Sequence, residues 1–386
     1  MTVGITSYGA YIPIYRFERM AIFRAMGWLA PAIMTVAQGE RSACNWDEDS
    51  VTMAVAAARD CLKGIGKDTV DALYLASTTL PFSDRQNSGI VSTALNLKDG
   101  ILTADYSASQ KAGLTALVTA LDGVKGGDKK NILVAAADKR EAKPGSFYEM
   151  WFGDGAAAVM VGERDVIAEY RGSHSVTYDF CDHYRGSDKE VDYTWEERWL
   201  REEGYSKIIP EAVKGLTEKI GITMEDVDKF AFPCIFKRDH IRIAKMLGAE
   251  PEKVVDNMHE VCGETGVAHP LVMFISALEE AKPGDRILVA GFGQGCTAAY
   301  FVVTENIRSL EERKGVRGCL SNKKVVDNYL KWLTFRDHLD PDMGMRTEIP
   351  VKTAMTVLYR NRKMLLGLQG GKCRECQTVQ YPKREV

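Results

Sequence analysis

Two cysteines are spaced as Cys373-x-x-Cys376 in the stretch GGKCRECQTVQYPKREV, behind the turn-forming pair Gly370-Gly371. That spacing supplies half of a tetrahedral zinc site, because structural sites take four ligands. A redox dithiol is the alternative, disfavoured because no strand–CxxC–helix pattern surrounds the pair. Asp182 and His183 are neighbours in YDFCDHY, and an imidazole beside a carboxylate can carry protons near neutral pH. Glu264 lies in the turn CGETG ahead of an apolar run. At a helix start the dipole favours the ionised carboxylate, either as a general base or simply as a terminal acid. Cys234, after Pro233, offers a thiol that is a displaced nucleophile, a general acid or a buried core residue. Lys237 and Arg238, in FKRDH, form a basic turn; a guanidinium suits phosphate through bidentate donors. His269 precedes Pro270 and reads best as a satisfied structural histidine.

These residues are positioned by an internal repeat. Val70-Asp71 matches Val227-Asp228, and TALDGVKGGDKKNILVA from Thr119 matches SALEEAKPGDRILVA from Ser276, both at the same offset. Upstream, the helical pattern from Ser50 answers the one from Ser206. Each unit reads as helix, acidic turn, short apolar strand, helix, helix, then a G-D turn and a strand ending in ILVA. Both halves then enter glycine-rich strands, GDGAAAVMVG from Gly153 and GQGCTAAYFVV from Gly293. ALYLAS and ILVAAA are continuously apolar, as expected of strands covered on both faces by helices. Two such α/β halves are expected to pack about a pseudo-dyad with their central helices together.

The 386 residues are 45% hydrophobic and 27% charged, a soluble globular profile of two or three domains. Lys+Arg 50 against Asp+Glu 53 is too balanced for a nucleic-acid binder that works by bulk charge. From Asn306 onward 17 Lys/Arg face 9 Asp/Glu, a balance of +8, so the residues before it carry −11 of the total −3. No apolar run approaches a membrane span, and the start lacks a secretory pattern. Nine scattered cysteines are expected as reduced cytoplasmic thiols.

The blocks GDGAAAV at 153–159, YDF at 178–180, FPCIFKR from Phe232, CGETG from Cys262 and GFGQG from Gly291 together resemble the thiolase superfamily, and within it the 3-hydroxy-3-methylglutaryl-CoA synthases. The resemblance implies a duplicated layered α-β-α-β-α fold, with halves at 1–165 and 166–305. A linker at 306–350 would lead to 351–386, which resembles the start of a DUF35 domain, a helix and zinc ribbon ahead of an OB-fold. On that reading Cys373 and Cys376 hold structural zinc, and the native chain is expected to continue past Val386.

The family's chemistry uses a Glu, a Cys nucleophile and a His, and this sequence departs at each position. ASTTLPF puts Thr78 at the Glu site, ADYSASQKAG puts Gln110 at the Cys site, and Pro233 takes the His site. Gly263-Glu264 stands where the family has Gly-Asn. Gln cannot be acylated, although its amide can donate to a thioester oxygen. The resemblance therefore implies an acyl-CoA enzyme that forms or cleaves a C–C bond by a non-covalent aldol, retro-aldol or Claisen-like route. In it Gln110 is an oxyanion donor, Glu264 and His183 are proton carriers, Cys234 and Thr78 are further candidates, and Arg238 with Lys237 meets coenzyme A phosphate. A homodimer is expected. The alternative is an inactive scaffold subunit that binds acyl-CoA and a thiolase partner. Gained Gln and Glu, rather than apolar filling, favour catalysis.

Overall fold

A computed structural model describes residues 2–342 and 353–383. The strands that were expected to be sandwiched are so. β1 (Gly4–Tyr11), β2 (Ala72–Ala76), β3 (Leu102–Tyr106), β4 (Asn131–Asp138), β5 (Gly155–Gly162), β6 (Ala168–Thr177), β7 (Lys229–Ala231), β8 (Arg286–Phe292) and β9 (Gly295–Val303) form one mixed sheet. Its order is β7-β8-β9-β6-β1-β5-β4-β2-β3. Strands β2 and β5 are buried at every residue, which is why their sequences run apolar instead of alternating. The two half-sheets join only at Gly4↔Glu169 and Ile5↔Ala168 between β1 and β6.

Helices sort into three layers around these half-sheets. α1 (Ser50–Cys61) and α2 (Asn87–Leu95) cover the outer face of the first half. α3 (Ala112–Lys125) and α6 (His269–Glu279) lie between the halves in one shared core. α4 (Ser206–Ile220) and α5 (Lys237–Met246) cover the second half. The central pairing foreseen from the repeat is therefore present, and the chain has the expected five layers. α1 starts where Asp49 and Thr52 exchange side-chain and backbone hydrogen bonds at 2.7 and 2.8 Å, a reciprocal capping pair. A Cβ at Gly113 would stand 2.3 Å from the Val267 carbonyl. Glycine there lets α3 close onto the segment leading into α6.

The halves are less alike than the repeat suggested. β3 lies between α2 and α3, where the sequence pattern showed only consecutive helices. Its counterpart in the second half is reduced to a single bridge, Phe230↔Val254. β3 was missed because LTADY is short and mostly half-exposed, as befits an edge strand.

The stretch expected as a linker is packed against the body over much of its length. In α7 (Tyr329–Phe335) Trp332 stacks on Phe17 with centroids 5.1 Å apart. Arg41 and Arg336 each lie 4.4 Å from the Trp332 ring centre. Arg336, itself buried, donates to Asp154 at 2.7 Å and Glu141 at 2.9 Å. Residues 343–352 and 384–386, within the linker and ribbon segments read from the sequence, lie outside the described residues. The described part of the ribbon segment has a helical turn at Met355–Arg360 and a hairpin pairing Gly371–Lys372 with Val379–Gln380.

Buried histidines give the fold an acid-sensitive element. His269 accepts the Thr265 N–H at Nδ1 (3.2 Å) and faces the Asn257 carbonyl with Nε2 (2.9 Å), which fixes a neutral ring. His240 Nε2 lies 3.0 Å from the Phe232 carbonyl. Burial, resisted by these carbonyls, lowers both to about 4. The unfolded chain takes up protons near pH 6.5 and the native state only near 4. Stability thus falls as pH drops through that window, by up to ~2.7 kcal/mol per pH unit from the pair. Urea unfolding between pH 4.5 and 7 should show H240Q with a shallower pH slope than wild type. An unchanged slope would count against this account.

Candidate active site

The candidate site forms where the C-terminal ends of parallel β2, β3 and β4 meet the second half, the usual crevice of open α/β sheets. β4 ends at Asp138, which is fully buried. Its carboxylate accepts hydrogen bonds from Ser77 Oγ (3.0 Å), Thr79 Oγ1 (2.9 Å), Thr78 N and Oγ1 (both 2.8 Å), and Val267 N (2.9 Å). One carboxylate thus locks the end of β2 to the entry of α6, across the pseudo-dyad. The Thr78 hydroxyl gives its proton to Asp138 and accepts from Arg140 Nη1. It is a fixed strut, which is poor geometry for proton transfer.

Two residues beyond Asp138, the buried Arg140 guanidinium donates through Nε to Asp192 Oδ2 at 2.7 Å and again through Nη2. Asp192 lies in the excursion between β6 and α4, where Tyr193–Thr194 pairs with His183–Tyr184. Its Oδ2 is also 3.2 Å from His183 Nδ1. The contact is close but not well aligned, since Nδ1 has no hydrogen bond of good geometry. Burial alone would raise Asp192, but Arg140 and His183 outweigh it and hold the carboxyl down to about 2. His183 is packed edge-on against Phe152 and Tyr148 at 4.8 and 5.5 Å. The partner foreseen from sequence, Asp182, lies 3.7 Å from Nε2. It accepts instead from the His183 backbone N–H (3.0 Å) and the Tyr205 hydroxyl (2.6 Å).

Gln110 ends the turn before α3. A Cβ on Gly293 would stand 2.6 Å from the Gln110 Cβ; Gly293 lets the second half's glycine-rich turn close over that side chain. Gln110 Oε1 and Asp192 Oδ1 are buried with no hydrogen-bond partner. Buried orphan acceptors of this kind mark places where a ligand group can bind. Glu264 sits in extended chain bridged to Phe152, two residues before the short helix-like segment Gly266–Ala268 that leads into α6. Burial, with Asp182 and Asp138 nearby, outweighs Arg140 and the Gly266 N–H and raises its carboxyl well above the usual range. The ionised base expected from a helix start is thus not what the geometry provides. Burial disfavours the ionised form of Glu264, which suits the residue to donate a proton rather than to accept one.

Gln110, His183, Glu264 and Cys234 line one small cavity of about 20 Å³, walled by Tyr205 and Phe292. Gln110 and His183 also border a second cavity of about 660 Å³, which Thr78 and Arg140 line as well. Cys234 is fully buried, its Sγ facing the Phe236 carbonyl, and burial pushes it up to about 12. That holds it as a thiol, against the role of displaced nucleophile. Lys237 and Arg238 line neither cavity. They stand exposed on the first turn of α5, just past the Pro233–Ile235 wall, with Lys237 paired to Glu260 at 2.7 Å.

Asp138, Arg140, Asp192 and Tyr205 were not foreseen. A signal existed for the first two, since charged residues directly after the buried strand ILVAAA sit at the strand end where such sites form. None existed for Asp192, in a polar loop without periodicity. Cys373 and Cys376 lie exposed in the tail hairpin, with Cys373 N–H bonded to the Thr378 carbonyl at 2.9 Å. A hydrogen bond from Thr378, helped by Cys373, lowers Cys376 to about 7. Among the described residues no group of three or more His, Cys, Asp or Glu is placed to hold a metal ion. No helix among them is long and apolar enough to cross a membrane.

The duplicated five-layer architecture with its site at the junction of the halves is a thiolase-like α/β fold. A solved HMG-CoA synthase complexed with CoA shares it, at TM-score 0.74 and 16% identity over 86% of this chain and 90% of that one. So does Xanthomonas campestris OleA, at TM-score 0.70 and 19% identity over 78% of this chain and 97% of that one. Residues 217–304 match the profile of the 3-oxoacyl-[acyl-carrier-protein] synthase III C-terminal family. The chain is 32% identical to the hydroxymethylglutaryl-CoA synthase of Caldivirga maquilingensis over 87% of its length and 98% of that protein. It is 33% identical to that of Methanopyrus kandleri, over 81% and 90%. It belongs to the hydroxymethylglutaryl-CoA synthase family.

Proposed function

We propose that the protein is an acyl-CoA-dependent enzyme that makes or breaks a carbon–carbon bond without an acyl-cysteine intermediate. The observation that carries this reading is the convergence of Gln110, His183 and the buried Glu264 on one small cavity, with an amide side chain at the position read as the family's nucleophile. In the cleavage direction His183, with the Asp192 carboxylate beside its Nδ1, takes the proton of a β-hydroxyl at Nε2. The Cα–Cβ bond then breaks, a carbonyl forms at Cβ, and the electron pair passes to the thioester as an enolate. The Gln110 amide donates to the enolate oxygen. Glu264 protonates Cα, and the proton on His183 returns to Glu264. Synthesis runs these steps in reverse. Coenzyme A phosphate would meet Arg238, on the first turn of α5 just past the cavity wall.

In the tail, Cys373 and Cys376 would supply two thiolates to a structural zinc ion, with two ligands from elsewhere completing the four. That module plays no part in the chemistry above.

The reading is tested by incubating the protein with 3-hydroxyacyl-CoA thioesters and following acyl-CoA and carbonyl products. Release of both by wild type, and its loss in Q110A, is expected. Binding of the thioester with no turnover in either direction would contradict catalysis and favour a scaffold.

A further inference from the structure

The small cavity at Gln110 and His183 holds more titratable groups than the steps above have used. Its walls include Asp182 and Tyr205 beside Glu264, and all three are buried. Gln110 and His183 also border the larger cavity, whereas Asp182, Tyr205 and Glu264 line only the small one. At about 20 Å³ the small cavity admits about one water molecule. Asp182 is held in its wall from several sides. Oδ1 accepts the His183 N–H at 3.0 Å and Oδ2 accepts the Tyr205 hydroxyl at 2.6 Å. Its own carbonyl accepts the Tyr148 hydroxyl and the Trp195 N–H, both at 3.3 Å. No Lys or Arg pairs with it among the described residues; its ionic neighbour is His183 Nε2, 3.7 Å from Oδ1. Tyr205 is fixed in turn by a local distortion. The turn Leu200–Tyr205 ahead of α4 is π-helical, a wide and rare geometry that recurs at functional sites. A Cβ at Gly204 would stand 2.6 Å from the Phe180 ring, so glycine lets that ring close on the turn. The Tyr205 phenol packs on Phe292 with ring centres 4.8 Å apart, and this aims its hydroxyl at the carboxylate.

The chemistry leaves Glu264 with a proton to recover. Once Glu264 has protonated Cα it is ionised, buried and near the Asp182 charge, a state that both effects disfavour. The proton taken from the β-hydroxyl meanwhile rests on His183 Nε2, which faces Asp182. We propose that Asp182 carries the proton from His183 back to Glu264 after each turnover, with Tyr205 as the positioning residue that holds the carboxylate. The Nε2–H bond breaks as an O–H bond forms on Asp182, and that bond breaks in turn as Glu264 regains its O–H. The second transfer crosses the small cavity through the one water it admits. Each group ends in the form in which it started. The inference rests on the acyl-CoA reading above and adds how its acid and base are reset.

A relay that acts only between turnovers has a kinetic signature that a structural role lacks. Rapid-quench and steady-state kinetics on the full chain test it, with the 3-hydroxyacyl-CoA thioester that wild type cleaves best. In D182N the first turnover proceeds and the next waits for a proton from solvent. The expected record is a burst of one acyl-CoA per site at the wild-type rate. A steady state about 10²-fold below wild type then follows, with kcat/KM unchanged because it reports the first turnover. Y205F keeps the carboxylate without its hydroxyl donor, and should show the same pattern with a drop of about tenfold. A D182N steady state equal to wild type overturns the inference and leaves the acyl-CoA reading standing. So does a first turnover slowed as far as the later ones, with kcat/KM falling alongside kcat. If D182N does not fold, Y205F decides by the same criteria. If wild type cleaves no 3-hydroxyacyl-CoA, the acyl-CoA reading falls and takes this inference with it.

Discussion

Replacing His183 by Asn is expected to lower kcat by about 10³-fold with little change in KM, since a positioned general acid–base group contributes roughly 10²–10⁴-fold. Asn keeps the polarity and much of the volume of imidazole, so the edge contacts to Phe152 and Tyr148 lose least. D192N separates positioning from chemistry. Asp192 touches His183 only at Nδ1, so losing its charge should cost about 10²-fold in kcat. A merely structural Asp192 would change stability and leave kcat of the folded protein unchanged. Steady-state kinetics between pH 5 and 9 on the two variants decides this. If H183N keeps wild-type kcat, the proton carrier lies elsewhere.

The second large effect is on stability and comes from the C-terminal segment. Arg336 donates to both Asp154 and Glu141, and Asp154 also accepts the Cys44 N–H at 2.7 Å. R336M leaves two carboxylates in the interior without their cation. Breaking a buried pair from one side costs about 3–5 kcal/mol, because desolvation of the remaining charge is no longer offset. The exposed pair Arg308–Glu305, 2.6 Å apart with both side chains mostly in solvent, is the contrast. R308M should cost under about 1 kcal/mol. Urea unfolding of both variants measures the difference, and similar losses would refute the distinction. Glu141 follows Arg140 directly in sequence, and its carbonyl accepts the Asp192 N–H at 3.1 Å. A segment beyond the repeat therefore steadies the loop that aims His183.

Much of this was legible in the sequence, for identifiable reasons. Continuous apolar runs such as ALYLA mark strands covered on both faces, and the repeat fixes which helices meet at the centre. Gln110 and Glu264 could be paired across the pseudo-dyad because each sits just ahead of a central helix in its half. What stayed hidden depends on contacts distant in the chain. Nothing near Asp192 announces that Arg140, 52 residues earlier, will bind it. Nothing in GETG announces that Glu264 will be buried near Asp138, Asp182 and Arg140, where its ionised form is disfavoured. The docking of Trp332 between two guanidinium groups likewise joins residues almost three hundred positions apart, and a charged stretch with scattered aromatics reads locally as a linker.

The central claim, condensation or cleavage without an acyl-enzyme, is tested most directly by the intact mass of the protein after incubation with acetyl-CoA and rapid acid quenching. The account predicts an unchanged mass for wild type. It holds that Gln110 takes no acyl group and that burial keeps Cys234 a thiol. Added mass of one acetyl group, mapped to any cysteine lining the two cavities and lost when that cysteine is changed to Ala together with activity, would contradict it.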